Sequence, residues 1–102
     1  IKKAGDAVSK GGENARAIIF GGSGQGEAMV ANRYSNVRTT VYYGGSREII
    51  TLSREHNNAN ILSIGARFVS EEEAKEVVSL WLNTEFAGDE RHVRRIAQID
   101  SI

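Results

Sequence analysis

The chain contains no cysteine and no proline. Without cysteine it forms no disulfide, carries no thiol nucleophile and builds no Cys-type metal site, and a reducing cytoplasm is its expected home. Without proline, its turns must be made by Gly, Asn and Ser. Six of the eleven glycines fall in two clusters, at 21–26 and 44–45. Net charge is also lacking, since thirteen Lys and Arg balance thirteen Asp and Glu. Binding to nucleic acid or to a membrane through overall charge is therefore not expected. No apolar run approaches the roughly 20 residues that span a bilayer, and the first residues lack the apolar core of a leader peptide. The 102 residues, 40% hydrophobic and 25% charged, have the composition of one small globular domain over 1–102.

Periodicity supplies the elements. Ile1, Ala4 and Val8 fall at helical spacing, with Gly11-Gly12 as the stop. Ala17–Phe20, Arg38–Tyr43 and Ile61–Gly65 read as strands. Gly44-Gly45 ends the second of these, and Ser46 is the expected N-cap of a helix over Arg47–Arg54. Ser70 and Glu73 form a capping box, after which Ala74, Val77, Val78 and Trp81 mark one buried face. Asp89–Ile99 predicts a last helix, with Arg91, Arg94 and Arg95 on one side and Val93, Ile96 and Ala97 on the other. Apolar strands alternating with helices predict an α/β fold: a parallel sheet with helices on both faces, three layers in all. Three strands make a thin sheet with an exposed edge, to be covered by further strands on the N-terminal side or by a partner chain.

In such sheets ligands bind outside the carboxyl ends of the strands. Phe20-Gly21-Gly22-Ser23-Gly24-Gln25-Gly26-Glu27 lies there, between a strand and a helix. It is no Walker A loop, because no Gly-Lys-Ser/Thr closes it, and it is a poor dinucleotide fingerprint. What remains is a nest of N–H groups plus the Ser23 hydroxyl, suited to a developing oxyanion, with the Glu27 carboxylate beside it. The same residues also suit a plain strand-to-helix turn, with Glu27 favoured by the helix dipole. Arg91, Arg94 and Arg95 suit a solvated face or phosphate recognition. Arg67 leaves the third strand at the ligand side. His56 and His92 show no metal spacing, so no metal and no cofactor is expected.

Five segments together resemble the type B ribose-5-phosphate isomerases, a family that includes galactose-6-phosphate isomerase subunits. They are Gly21–Glu27 with Ala31-Asn32, Arg54–Asn60, Ile64–Arg67, Trp81–Phe86 and Arg91–Ile96. The resemblance implies a Rossmann-like domain and a metal-independent aldose–ketose isomerase acting on a phosphorylated sugar, typically ribose 5-phosphate to ribulose 5-phosphate. Many members carry a catalytic Cys where this chain has Gly21; a second subgroup lacks it and uses a Glu matching Glu27. By that resemblance Glu27, Ser23 and His56 form the catalytic set, with Glu27 moving a proton between C1 and C2 and His56 assisting ring opening. Gly22, Gly24 and Gly26 hold the enediolate oxygen. Asn57 holds sugar oxygens, and Arg67, Arg91, His92 and Arg95 bind the phosphate. The family pattern further implies a homodimer or dimer of dimers whose active sites draw on both subunits. Members begin with a strand–helix–strand of roughly 45–50 further residues carrying an Asp-His pair, which this chain lacks. Gly44-Gly45-Ser46 has no His where many members have one, which shifts ring opening to His56. The competing expectations are a non-catalytic phosphate- or nucleotide-binding α/β module and an inactive fragment that needs a partner.

Overall fold

The computed structural model describes residues 1–102. Its strands are β1 (Ala17–Gly21), β2 (Thr39–Tyr42) and β3 (Ile61–Gly65), and its helices are α1 (Lys2–Lys10), α2 (Gln25–Ala31), α3 (Glu48–Glu55), α4 (Glu71–Asn83) and α5 (Glu90–Asp100). The strands form one parallel sheet in the order β1-β3-β2. Ala17 to Gly21 pair with Ile61 to Gly65, and Thr39 to Tyr42 pair with Ile61 to Ile64. β3 is paired on both sides and covered on both faces, so all five of its residues are buried, the usual state of a central parallel strand.

Side-chain alternation along the strands divides the interior in two. Leu62, Ile64 and Tyr42 meet Ile50 of α3 and Ala74, Val77 and Trp81 of α4. Ile61 and Ile19 meet Val8 of α1, Ala31 of α2 and Val37. Helices thus cover both faces, as expected for three layers. Each fully buried Val, Leu or Ile side chain adds about 1.5–3 kcal/mol of transfer free energy. The strand order leaves β1 and β2 as the sheet's two edges. Beside β1 a groove of about 880 Å³, lined by Ile18, Phe20, Val78 and Leu82 among others, leaves Phe20 58% exposed.

Local chemistry shifts several boundaries. β2 begins at Thr39 rather than Arg38, because the Arg38 N–H donates to Asn60 Oδ1 at 2.7 Å instead of to a ladder. It ends at Tyr42, as Gly44 and Gly45 take φ of 111° and 96°. The N-cap of α3 is Arg47, one residue later than expected; the Ser46 hydroxyl still accepts from Glu48 N–H, at 3.2 Å. Half of the capping box forms: Ser70 Oγ accepts from Glu73 N–H at 3.0 Å, while the Glu73 carboxylate accepts from the Tyr42 hydroxyl at 2.6 Å. α5 departs most. Val93 and Ala97 are exposed and His92 is its buried residue. The reason is how α5 is held. The His92 ring stacks on His56 at 4.2 Å, and Asp100 takes both oxygens to Arg38 Nη1 at 2.9 Å. These contacts lay α5 across the amino end of the sheet rather than along a face.

Candidate functional site at the glycine loop

The loop from Gly21 to Gly24 is shaped by β3. Ala66 N–H donates to Gly21 O at 2.7 Å, Arg67 N–H to Gly22 O at 3.0 Å, and the buried Ser63 hydroxyl to Gly24 O at 2.7 Å. With these carbonyls tied back, the N–H groups of Gly22, Ser23 and Gly24 donate to no acceptor within the chain. Gly24 sits at φ 77°, a left-handed conformation that a side chain disfavours, and it opens α2. The Ser23 hydroxyl accepts from Gln25 N–H at 3.2 Å, which leaves its own proton available to donate.

Glu27 belongs to the first turn of α2 and is half-buried. Its carboxylate reaches back over the end of β1. A Cβ added at Gly21 would clash with the Glu27 carboxyl carbon and both of its oxygens. The carboxylate therefore occupies the space that a side chain at position 21 would use. On the other side of the loop the Arg67 guanidinium lies over Gly22, its Nη2 3.3 Å from where a Cβ would stand. Glu27, the loop N–H groups, Ser23 and Arg67 thus share one end of the sheet.

The remaining sequence-predicted residues lie at the other end. α3 runs back from the carboxyl end of β2, so His56 and Asn57 emerge beside the strand starts. There Asn60 O accepts from Ala17 N–H at 3.0 Å, and Asn60 N–H donates to Arg38 O at 2.9 Å. The stacking of His56 on His92 brings the first turns of α5 to the same end, with Arg91 and Arg95 exposed beside it. Burial pushes the His92 imidazole below its ordinary value, helped by His56 and Arg91, opposed by Asp89 and helped again by Arg95. His92 is 4% exposed, its Nε2 has no hydrogen-bond partner, and Asp89 Oδ2 stands 3.9 Å away. A five-residue strand separates the two ends by about 15 Å. The structure therefore groups Ser23, Gly22, Gly24, Gly26, Glu27 and Arg67 at the carboxyl end. It groups His56, Asn57, Arg91, His92 and Arg95 at the amino end.

One participant escaped the sequence reading. Arg54 is 2% exposed and faces no carboxylate. Its guanidinium donates to Thr84 O at 3.0 Å, Asn58 Oδ1 at 2.8 Å and Ala59 O at 2.7 Å, and stands 5.8 Å from the Trp81 ring centre. Burial pushes it down to about 10, with Arg16 and Arg38 adding to the effect, so it stays charged near neutral pH. It fixes the turn that presents His56 and Asn57. The signal was present, since Arg54 lies four residues after Ile50 on the buried face of α3. No group of three His, Cys, Asp or Glu side chains converges as metal ligands, and no helix is long and apolar enough to cross a membrane.

The ribose/galactose isomerase family model matches residues 1–99. The chain belongs to that family. It is 36% identical over 92 residues to ribose-5-phosphate isomerase B of Escherichia coli, covering 90% of this chain and 60% of the relative. With the Mycobacterium leprae protein of the same name the identity is 39% over 79 residues, 78% of this chain and 48% of the relative. Among solved structures, type B ribose 5-phosphate isomerase from Trypanosoma cruzi superposes with a TM-score of 0.90 at 33% identity, over 98% of this chain and 65% of that one. The Mycoplasma genitalium enzyme with bound ribulose-5-phosphate gives 0.89 at 33% identity, over 98% and 66%. The chain thus spans about half to two thirds of the length of these relatives.

Proposed function

We propose that this chain forms part of a metal-independent sugar-phosphate isomerase that interconverts ribose 5-phosphate and ribulose 5-phosphate through an enediolate, with Glu27 as the base. The observation that carries this reading is the Glu27 carboxylate in the side-chain space of Gly21, beside N–H groups with no acceptor. Abstracting a proton α to a carbonyl needs a base and an oxyanion site fixed relative to one another before reaction. Glu27 takes the C2 proton of the open-chain aldose. The electrons move to the C1 carbonyl oxygen, and that enediolate oxygen accepts from the Gly22, Ser23 and Gly24 N–H groups, with Gly26 behind them in the first turn of α2. The Ser23 hydroxyl donates to the same oxygens. Glu27 then returns the proton to C1 while the O2 proton passes to O1, which leaves the ketose. Arg67 supplies positive charge beside the loop.

His56, Asn57, Arg91, His92 and Arg95 act in this proposal from a second copy of the chain, the former two on ring opening and sugar oxygens, the latter three on the phosphate. Their separation from Glu27 within one chain supports that arrangement, because no sugar phosphate bridges the length of the strands. The ribulose-5-phosphate found on the Mycoplasma genitalium relative supports the substrate class. The test is conversion of ribose 5-phosphate by the full protein and its Glu27→Gln variant. Loss of the base lowers kcat by about 10³-fold; a variant within a few-fold of the parent removes Glu27 from the mechanism.

A further inference from the structure

Two exposed aromatic residues stand at the carboxyl end and take no part in the proton transfer. Tyr43 is 50% exposed and Phe68 60%. Their rings meet edge to face, 6.0 Å apart at 61°, an arrangement favoured by the aromatic quadrupole. Phe68 directly follows Arg67 in a turn closed by Phe68 N–H donating to Gly65 O at 3.0 Å. One tight turn therefore presents a guanidinium toward Gly22 and a ring toward Tyr43. Tyr43 is seated equally firmly. A Cβ at Gly65 would stand 2.9 Å from Tyr43 Cβ and 2.5 Å from Ser23 O. Only a bare Gly65 lets Tyr43 and the catalytic loop approach this closely. Tyr42, one residue earlier, is 2% exposed and pinned by its hydroxyl to Glu73 at 2.6 Å.

Along the carboxyl edge of the sheet the order is Gly21, Gly65, Tyr43, so Tyr43 lies two strand spacings, about 10 Å, from Gly21. That is the far side of a binding site whose reacting carbons sit at Glu27. We propose that Tyr43 and Phe68 form a wall that packs against the C–H groups of the distal carbons of an open-chain sugar phosphate. They then set the chain length accepted, and act as specificity-determining residues. This rests on the isomerase reading of the glycine loop. An aromatic face is suited to aliphatic C–H groups of a polyol, whereas the polar groups of the loop and Arg67 serve its oxygens.

The experiment compares parent and Phe68→Ala full protein on ribose 5-phosphate and on its six-carbon homologue allose 6-phosphate. It also measures ribose 5-phosphate binding by calorimetry in a Glu27→Gln background, where turnover is suppressed. Phe68→Ala is expected to raise KM for ribose 5-phosphate about tenfold with a less than threefold fall in kcat, and to shift the five- to six-carbon preference in kcat/KM toward six. The calorimetric Kd rises in parallel, and Phe68→Tyr restores both. An unchanged Kd together with an unchanged substrate preference overturns the wall while leaving the isomerase reading standing. A change of oligomeric state on gel filtration with Kd unmoved also overturns it and assigns the pair to a subunit contact. If the parent has no isomerase activity, the isomerase reading fails, and an unmoved Kd then removes the wall as well.

Discussion

Gly21 and Gly65 face each other across the β1–β3 ladder, and an added methyl group meets different obstacles at the two positions. At Gly21 the obstacle is the carboxylate of Glu27, the far end of a flexible side chain. It can swing away, so Gly21→Ala is expected to cost less than about 1 kcal/mol of stability. Activity suffers far more, because the carboxylate leaves its place beside the N–H nest; kcat is expected to fall about 100-fold. At Gly65 the obstacles are the Ser23 carbonyl oxygen and carbon, at 2.5 and 2.8 Å, and Tyr43 Cβ at 2.9 Å. Backbone cannot swing aside, so Gly65→Ala is expected to lose about 1–3 kcal/mol as overpacking. Urea unfolding measured beside kcat for both variants checks the pair. Equal stability losses would mean that the carboxylate at Gly21 is as rigidly held as the backbone at Gly65.

α5 is held differently from the other helices, by one aromatic stack and one ion pair instead of an apolar face. Its stability is therefore expected to depend on pH. The charged and titratable groups around His92 are His56, Arg91 and Arg95, which disfavour its protonation, and Asp89, which favours it. Its folded value lies below the ordinary one, so the unfolded or undocked state takes up the proton first. The stabilising contribution is complete above the ordinary histidine value of about 6.5 and is lost as pH falls through that value toward the folded one. Hydrogen exchange of α5 amides, corrected for intrinsic rates, is expected to accelerate between pH 7.5 and 5.5 while that of α4 does not, and His92→Gln is expected to flatten the dependence. The contrast between these two helices also marks what the sequence could reveal. α4 was legible because Ala74, Val77 and Trp81 repeat at helical spacing and all three are buried. α5 was legible as a helix but not in its orientation. Its apolar residues suggested one buried side, while His92 and Asp100 fix another through partners remote in the chain. Gly21–Glu27 was legible as a unit because its parts are contiguous, and Arg67 because it follows a strand end. The burial of Arg54 could be read from its place four residues after Ile50, but its clamp on Thr84 and the Tyr43–Phe68 pair arise only when separate elements converge.

At the scale of the whole molecule, the two groups of candidate site residues stand at opposite ends of a parallel sheet, and that follows from connectivity. A helix between parallel strands must return the chain to the strand starts, so Gly21–Glu27 after β1 and His56 after α3 cannot meet within one domain of this kind. A two-fold pairing that sets the carboxyl end of one copy against the amino end of another generates two equivalent composite sites, since a closed two-fold contact is reciprocal. Such sites are open to complementation. One protein carries Glu27→Gln; the other carries His56→Ala with Asn57→Ala. Each alone has two damaged sites per dimer. After mixing under conditions that exchange subunits, half of the dimers are mixed. In each of these one site carries both lesions and the other carries neither, so recovered activity is expected to approach about a quarter of the parent. Sites built within single copies give a different result: every site keeps one lesion whatever its partner, and mixing restores nothing. Activity assayed before and after subunit exchange, with mixed dimers followed by a mass tag on one variant, decides between the two arrangements.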